Sequence, residues 1–361
     1  MSPSSGARRR PTLQDVAAGV GLSVNTVSRA LNDMPGVSEV SRSRIKREAD
    51  RIGYVPNANA RSLVLGSRKT IGVVVTNPSN PFYAEMISEI EWRAAERGYT
   101  ILLLLSDESS DRERDVVAAA MRSGVDGLIA VPVQGSSEPW TGLHRAGMPL
   151  VMVSREVSGL AVDFVSTDNE QGVFATTDHV LSMGARDVVL LEEDLPISTI
   201  DQRIAGFKRA LGRHGVPFRP EMLAAIPPRR SSRAALPWQA EDAYRVSRDL
   251  LDRGRRAEAY VVGNDYFALG LYTALAEVGL SVPHDALVVG FGDYPFARFL
   301  SPPLSTSRLP SREVGRVAAQ ALLSRLEMSS PYPSTRTLIQ PELIVRASTR
   351  GSSPAPEARH N

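Results

Sequence analysis

Seven short apolar runs, spread along the chain from residue 70 onwards, most constrain the fold of this sequence. The runs are TIGVVV, TILLLL, GLIAVP, PLVMV, DVVLL, AYVVG and ALVVGFG, and segments with helical periodicity such as FYAEMISEIEWRAAERG separate them. Short runs without polar alternation are typical of parallel strands that are covered by helices on both faces. So many strands predict an α/β body with two parallel sheets and a ligand site beyond the carboxyl ends of the strands.

The composition excludes several classes of function. The 361 residues are 42% hydrophobic, enough for two or three domains, and no apolar run is long enough to span a bilayer. The basic amino terminus has no apolar segment after it, so we expect a cytoplasmic protein. With no cysteine and five scattered histidines, we expect no metal site, and binding is favoured over redox or metal chemistry. The chain also has no G-x-G-x-x-G, Walker or G-x-S-x-G motif, so we expect no cofactor and no catalytic residue.

The charge is distributed unevenly between the amino-terminal head and the rest of the chain. Residues 1–70 hold 12 Lys and Arg against 5 Asp and Glu, a charge of +7, while the whole chain carries +2, so the remainder carries 2 − 7 = −5. A basic head on a mildly acidic body favours contact with a polyanion through the head alone. The alternative is a solvated basic tail.

The head has the capping pattern of short, closely connected helices. Thr12 can cap a first helix with Asp15 returning a hydrogen bond, this helix ends before Gly21, and Ser23 can cap a second helix. A third helix follows in SEVSRSRIKREADRIG. A connection of about four residues between the first two helices is typical of a helix-turn-helix unit.

The second helix has one apolar side and one polar side. Val27, Ala30 and Leu31 fall on the apolar side, whereas Asn25 and Arg29 lie one turn apart on the other. In a major groove, asparagine pairs best with adenine and arginine with guanine, so the polar side could read base edges. The alternative is a solvated helix in a small three-helix domain.

The stretch TLQDVAAGVGLSVNTVSRALN, followed by VSEVSRSRIKREADRIGYVPNANARSL, resembles the head of the lactose-repressor and galactose-repressor (LacI/GalR) family. The resemblance implies that Val24 and Asn25 are the main base-reading pair. The DNA contacts predicted from the residues and the resemblance together are Thr12, Ser23, Val24, Asn25, Thr26, Ser28, Arg29, Asn57, Arg61 and Leu63.

The linker PNANARSLVLGS gains a role from the same resemblance. In the family this segment becomes a hinge helix on operator DNA, and Leu63 matches the leucine that is wedged into a minor-groove step. Arg61, Arg68 and Lys69 would contact phosphates, which position a protein without reading sequence. The alternative is a flexible linker with a surface leucine.

The body also resembles the family, whose effector domain is like that of periplasmic sugar-binding proteins. The stretches that carry the resemblance include IGVVVTNPSNPFYAEMISEIE, VSTDNEQG, QRIAGFKRAL and GNDYFALGLYTALAEVGLSVPHDALVVGFGD. The implied body has two lobes joined by three crossovers. The predicted domains are a disordered basic arm at 1–10, a helix-turn-helix domain at 11–56, a hinge helix at 57–69, an effector domain at 70–350 (lobe 1, 70–167 and 309–335; lobe 2, 168–308 and 336–350) and a disordered tail at 351–361.

The resemblance implies effector contacts at eight positions. Phe82 and Tyr83 could instead belong to the core at the start of a helix, and Arg203 could form a surface ion pair. Trp238 could pack against other side chains or stack on a purine, and Asn264 could cap a helix. The predicted effector contacts are Phe82, Tyr83, Ser154, Thr199, Arg203, Trp238, Asn264 and Asp293.

Two positions depart from the family pattern. Gly292 stands where most members have the first of two acids, and Ser154 stands where an aspartate is frequent. Buried ligand hydroxyls that lack acceptors lose about 1 to 3 kcal/mol each. The departures therefore favour an anionic effector, such as an acid sugar or a sugar phosphate, over a neutral monosaccharide.

Together these features predict a dimeric transcriptional regulator, a repressor, that binds near-palindromic operator DNA and responds to a carbohydrate-type effector. The effector either releases the repressor or acts as a corepressor. Three alternatives are a solute-binding protein for transport, which would need an export segment, an enzyme on a doubly wound fold, and an architectural DNA-binding protein without an effector.

Overall fold

The computed structural model describes residues 9, 11–55, 67–228, 239–328 and 333–350. The chain divides into two compact units, with the boundary between Arg68 and Lys69. The predicted basic arm, hinge helix and carboxyl-terminal tail lie largely outside the described residues. None of the helices in the described ranges is long and apolar enough to cross a bilayer.

The first unit contains the three predicted helices, α1 (Leu13–Val20), α2 (Val24–Leu31) and α3 (Glu39–Ile52). The Asp15 carboxylate accepts hydrogen bonds from both the amide and the hydroxyl of Thr12, each at 2.7 Å. The Ser23 hydroxyl accepts from the Thr26 amide at 3.1 Å, which caps α2. Gly21 ends α1 with φ at 65°, a conformation that favours glycine.

The interfaces between these helices form a small core. The side chains buried there, all less than a tenth exposed, are Val16, Ala17, Val20, Val27, Ala30, Ile45 and Ala49.

The second unit alternates strands and helices along the chain, as the apolar runs predict. Its strands are β1 (Thr70–Val75), β2 (Thr100–Leu105), β3 (Gly127–Ala130), β4 (Leu150–Val153), β5 (Asp163–Thr167), β6 (Val188–Glu193), β7 (Leu223–Ile226), β8 (Ala259–Val262), β9 (Leu287–Gly292), β10 (Ser305–Arg308), β11 (Arg336–Ile339) and β12 (Glu342–Ile344). Its helices are α4 (Pro81–Glu96), α5 (Ser110–Ser123), α6 (Glu138–Arg145), α7 (Asn169–Ser182), α8 (Ser198–Arg213), α9 (Ala240–Asp252), α10 (Asp265–Glu277) and α11 (Ser311–Glu327).

The strands of the described ranges form two six-stranded sheets, one in each lobe. The first has the order β11-β5-β4-β3-β1-β2 and is parallel throughout, and the second has the order β12-β10-β9-β8-β6-β7. In the second sheet only the β10–β12 pair is antiparallel. The predicted α/β fold with two largely parallel sheets is confirmed.

Helices cover both faces of each sheet. In β1, Val73 and Val75 pack against α4 and α11, whereas Val74 packs on the opposite face with α5 and α6. In β6, Val189 and Leu191 face α9 and α10, while the alternate residues face α7 and α8. Burial on both faces explains why the strands are continuous apolar runs.

The chain crosses between the lobes three times, and the last crossing differs from the predicted one. We expected lobe 1 to end at residue 335, but Arg336–Ile339 pairs with β5 in the first sheet, in the register Arg336↔Phe164 to Ile339↔Thr167. The crossing therefore follows Ile339, before β12 joins the second sheet. The backbone pairing of this short strand is a long-range contact, and its mixed polar sequence carries no strong strand pattern.

Candidate functional site

The exposed side of α2 is the candidate DNA-contacting surface of the head. Val24 is 41% exposed, although it is apolar, and Asn25 beside it is also exposed. Val27 and Ala30 on the opposite side are fully buried. The helix therefore has the two sides that its sequence predicts, with Val24 and Asn25 available to a partner.

The other predicted contacts in the head are arranged around this surface. Ser23 is exposed, and its hydroxyl lies 2.8 Å from that of Thr26. Thr12 and Ser28 are half-buried. Arg29 is also half-buried, and its guanidinium donates to the carbonyl of Pro35, so part of its donor capacity holds the loop that follows α2. Asn57, Arg61 and Leu63 lie outside the described residues.

The body has a cleft between its two lobes. Its space, including solvent at the mouth, is about 860 Å³. The first lobe contributes residues that follow β1 and β4, and the second contributes residues at the carboxyl ends of β6, β8 and β9. The cleft thus lies where the topology of two parallel sheets predicts a ligand site.

Six of the eight predicted effector contacts line this cleft. Trp238 lies outside the described residues, and Asp293 lies elsewhere. The residues brought together are Phe82, Tyr83, Ser154, Thr199, Arg203 and Asn264.

Phe82 and Tyr83 begin α4, and both line the cleft and belong to the core of the first lobe. Their rings meet edge to face with centroids 5.5 Å apart. Asn80 fixes the start of the helix, because its side-chain oxygen accepts from the Phe82 amide at 3.0 Å. Burial raises the pKa of the Tyr83 phenol, so this group stays protonated. The two rings are therefore rigid apolar walls of the cleft.

Ser154 and Arg155 follow β4 at the floor of the cleft. Ser154 has φ at 64° and is 8% exposed. The Arg155 guanidinium binds both carboxylate oxygens of Glu108, at 2.6 and 2.9 Å. Both partners of this ion pair are almost fully buried, which holds the loop after β4 against the loop after β2.

Arg203 projects from α8 toward the ends of two strands of the second lobe. One terminal nitrogen donates to the Gly263 carbonyl at 2.8 Å, and Nε lies 3.1 Å from Glu192 Oε2. The side chain is 14% exposed. Arg203 is therefore part of a largely buried ion pair inside the cleft rather than a surface ion pair.

Glu192 and Glu193 end β6, and sequence reasoning missed both. Glu192 is 6% exposed, and its Oε1 accepts from the Glu193 amide at 2.9 Å, whereas Oε2 has no hydrogen-bond partner. Burial raises the pKa of Glu192, and the Arg203 charge opposes this rise. Two acids directly after the apolar run VVLL were the available signal, because that position is the carboxyl end of a buried strand.

The cleft lining contains carboxylates that an effector would meet. Glu108, Glu192 and Glu193 line the cleft together with two guanidiniums, those of Arg155 and Arg203. The two acceptors that are missing at Ser154 and Gly292, which favoured an anionic effector, are therefore offset by carboxylates elsewhere in the cleft. The acceptors come from the ends of β2 and β6 rather than from the end of β9.

Asn264 caps α10, since its side-chain oxygen accepts from the Tyr266 amide at 2.9 Å, and it also lines the cleft. The adjacent Asp265 is fully buried and accepts from the Thr306 hydroxyl at 2.7 Å and the Tyr294 amide at 3.0 Å. Burial raises its pKa to about 6, although these hydrogen bonds oppose the rise. Asp265 thus connects the start of α10 to Thr306 and Tyr294 next to the cleft wall.

Asp293 corrects one predicted effector contact. It lines a separate depression beside the cleft, and its carboxylate binds Arg308 Nε at 2.7 Å and the Arg346 guanidinium. Only 9% of its side chain is exposed. These two arginines occupy the carboxylate, so Asp293 joins the ends of three chain segments instead of facing the cleft.

Two hydrogen-bonded contacts join the lobes on either side of the cleft. Gln134 of the first lobe accepts from the Ser198 amide at 2.9 Å and donates to the Ser198 hydroxyl at 3.1 Å. The Tyr294 hydroxyl of the second lobe donates to the Asn80 side chain at 3.4 Å. A change in the angle between the lobes would have to break or reform these contacts.

The described part of the chain holds no group of three or more side chains that could bind a metal ion. The cleft chemistry is that of hydrogen bonding, charge and apolar contact.

Comparison with known proteins identifies two regions. Residues 12–57 match "Bacterial regulatory proteins, lacI family", and residues 177–349 match "Periplasmic binding protein-like domain". A relative in Vibrio parahaemolyticus, the HTH-type transcriptional repressor PurR, is 28% identical over 336 residues, which cover 93% of this chain and 97% of that protein.

Two solved structures share the fold. The lac repressor dimer bound to operator and the anti-inducer ONPF has a TM-score of 0.82 at 23% identity, covering 95% of this chain and all of that one. A LacI family transcriptional regulator from Enterococcus faecium with bound ribose has a TM-score of 0.67 at 27% identity, covering 77% of this chain and 98% of that one.

Proposed function

The chain belongs to the lacI family of bacterial regulatory proteins, and from this premise we propose that it is a transcriptional repressor whose affinity for operator DNA is set by a carbohydrate effector. The observation that carries the proposal is the presence, in one chain, of a helix-turn-helix head and a polar cleft between two lobes. We place this repressor in the cytoplasm, where its DNA is.

The DNA-binding half of the proposal rests on α2. Val24 and Asn25 are exposed on a helix whose other side is buried, so they can enter a major groove without disturbing the core of the head. Asn25 would read an adenine through its amide, and Val24 would contact a thymine methyl group. Arg44 and Arg47, exposed on α3, add positive charge for phosphates.

The effector half rests on the composition of the cleft. Phe82 and Tyr83 present apolar walls, and Arg203, Glu192 and Asn264 present hydrogen-bonding groups from the opposite lobe. Sugars have apolar C–H faces and hydroxyl groups, so they match such a mixed surface. The bound ribose of the related Enterococcus faecium regulator supports this class of effector.

The mechanism couples the cleft to the DNA through the angle between the lobes. A ligand that contacts both lobes stabilises one angle over others by its difference in affinity. In a homodimer the two angles would bring the hinge segments together or separate them, which changes operator affinity. Two-fold symmetry of the dimer would require a near-palindromic operator.

Footprinting of the full-length protein on genomic fragments tests the DNA-binding half. We expect protection of a site with two-fold symmetry, with half-sites about one helical turn apart or a multiple of it. Binding that is independent of sequence, with no protected symmetric site, would overturn the assignment as a repressor.

A further inference from the structure

Resting on the proposed function, we propose that Glu192 is the specificity-determining residue of the cleft: it accepts a hydrogen bond from a hydroxyl or amine of the effector and excludes effectors that carry a carboxylate or phosphate. Glu192 would thus define the chemical class of effector that the cleft accepts.

The geometry of Glu192 carries the inference. Its side chain is 6% exposed and lines the cleft, and Oε2 has no hydrogen-bond partner. Arg203 Nε is 3.1 Å from this oxygen, yet it too has no hydrogen-bond partner, so the N–H is not aimed at the carboxylate. A carboxylate oxygen accepts and cannot donate. A donor group of a ligand in the cleft would complete its hydrogen bonding.

Gly263 provides the space that the Glu192 carboxylate occupies. The two residues follow a paired register, Leu191↔Val262, at the ends of β6 and β8. A Cβ atom at position 263 would lie 2.1 Å from Glu192 Oε2, far inside van der Waals contact. The absence of a side chain at Gly263 thus determines where the carboxylate can lie.

The surrounding charges disfavour an anionic ligand. Three carboxylates and two guanidiniums line the cleft, and each guanidinium already has a carboxylate neighbour: Arg155 binds Glu108, and Arg203 lies beside Glu192. An added carboxylate or phosphate would meet like charge in a partly desolvated space, where repulsion is stronger than in water. Neutral and amino sugars bring donors without this repulsion.

A calorimetric titration of the full-length protein with matched sugars tests the inference. The probes are glucose, ribose, glucosamine, gluconate, glucose 6-phosphate and ribose 5-phosphate. We expect the tightest ligand to be a neutral or amino sugar. We expect Glu192→Gln to weaken its binding by about tenfold to a hundredfold, the range of a hydrogen bond to a charged group.

Two further variants separate specificity from stability. Gly263→Ala displaces the Glu192 carboxylate and should weaken binding of the same ligand. In Glu192→Gln and in Gly263→Ala, the affinity for neutral sugars should fall relative to the affinity for anionic sugars. Glu113→Gln is the matched control, because Glu113 is a fully buried carboxylate outside the cleft. This control should leave ligand affinity unchanged, and thermal unfolding of each variant reports whether it is folded.

The inference is overturned if an anionic sugar binds tightest or if Glu192→Gln leaves the sugar affinity unchanged. It is also overturned if Glu113→Gln loses as much sugar affinity as Glu192→Gln. If an anionic sugar binds and alters operator affinity, only the inference fails and the proposed function stands. If no sugar of any class binds, the inference fails together with the effector half of the proposed function, while the footprint still tests DNA binding.

Discussion

At the scale of single residues, Asn25 offers the clearest separation of recognition from folding. Its side chain is exposed on α2, so Asn25→Ala should leave the thermal unfolding temperature unchanged. Loss of a base contact should weaken operator binding by about 1 to 3 kcal/mol and relax specificity at one base pair of each half-site. Fluorescence anisotropy with operator and single-base variants measures both effects.

Gln14→Ala is the matched control for Asn25→Ala, since Gln14 is an exposed amide on α1. It should leave the base preference unchanged. An Asn25→Ala protein with the wild-type base preference would contradict the role of Asn25.

Asp265 predicts a pH dependence of stability. Its pKa is raised to about 6, above the value near 4 of the unfolded chain, so the native state binds this proton more tightly. The stabilisation that comes from this bound proton is fully present below about pH 4 and is lost as the pH rises through about 6. We expect the free energy of unfolding of Asp265→Asn, relative to that of the wild type, to rise by about 3 kcal/mol from pH 4 to pH 7. Urea unfolding measures this difference. A difference that stays constant with pH would contradict the raised pKa.

The sequence predicts residue roles best where the determinants are local. The caps at Thr12 and Ser23 are correct because each partner lies three residues away. Asp293 was misplaced because its partners, Arg308 and Arg346, lie 15 and 53 residues further along the chain. Nothing in the local sequence shows that these arginines occupy the carboxylate.

At the scale of elements, Asp163 joins three segments of the first lobe. It begins β5, and its carboxylate accepts from Arg325 on α11 and from the amide and hydroxyl of Thr335 before β11, at 2.8 and 2.9 Å. Burial raises the pKa of Asp163, but these hydrogen bonds outweigh burial and hold it below its usual value. The ionised Asp163 carboxylate therefore stabilises the folded protein at neutral pH, and this contribution is lost in acid.

Asp163→Asn should lower the free energy of unfolding by about 3 to 5 kcal/mol at neutral pH, because it removes the fully buried carboxylate that pairs with the half-buried Arg325 guanidinium. Glu313→Gln is the matched control on α11, since it breaks a surface pair with Arg316 and should cost at most about 1 kcal/mol. Urea unfolding measures both. Equal costs for the two variants would contradict the role of Asp163.

Gln134 joins the first lobe to the start of α8, the helix that carries Thr199 and Arg203. Gln134→Ala should weaken ligand binding, because it removes a contact that holds the lobes at one angle. Gln171→Ala, which removes a surface amide within the second lobe, is the control. Calorimetric titration distinguishes them, and equal ligand affinity in both variants would contradict a role for the lobe contact.

The elements themselves were predictable to different degrees. The strands were clear because burial on both faces makes each one a continuous apolar run. The short strand Arg336–Ile339 was assigned to the wrong lobe, since only its pairing with β5 places it. The two acids Glu192 and Glu193 mark the end of a buried strand in the sequence, but the assembled sheet is what brings that strand end to the cleft.

At the scale of the whole molecule, a DNA-reading head precedes a body with two lobes along the chain. The body places groups from both lobes around one cleft, so a ligand there can favour one lobe angle. A difference of about 1 to 3 kcal/mol in affinity between two angles is enough to change operator binding by about 5-fold to 150-fold. The same coupling requires operator DNA to change ligand affinity by the same factor.

The most direct test is the operator affinity of the full-length protein, measured by fluorescence anisotropy without effector and with a saturating concentration of the sugar that binds tightest. We expect operator affinity to change by about 5-fold to 150-fold, and this change should need a higher sugar concentration in Glu192→Gln. The same operator affinity at zero and saturating sugar would contradict control of DNA binding by the cleft.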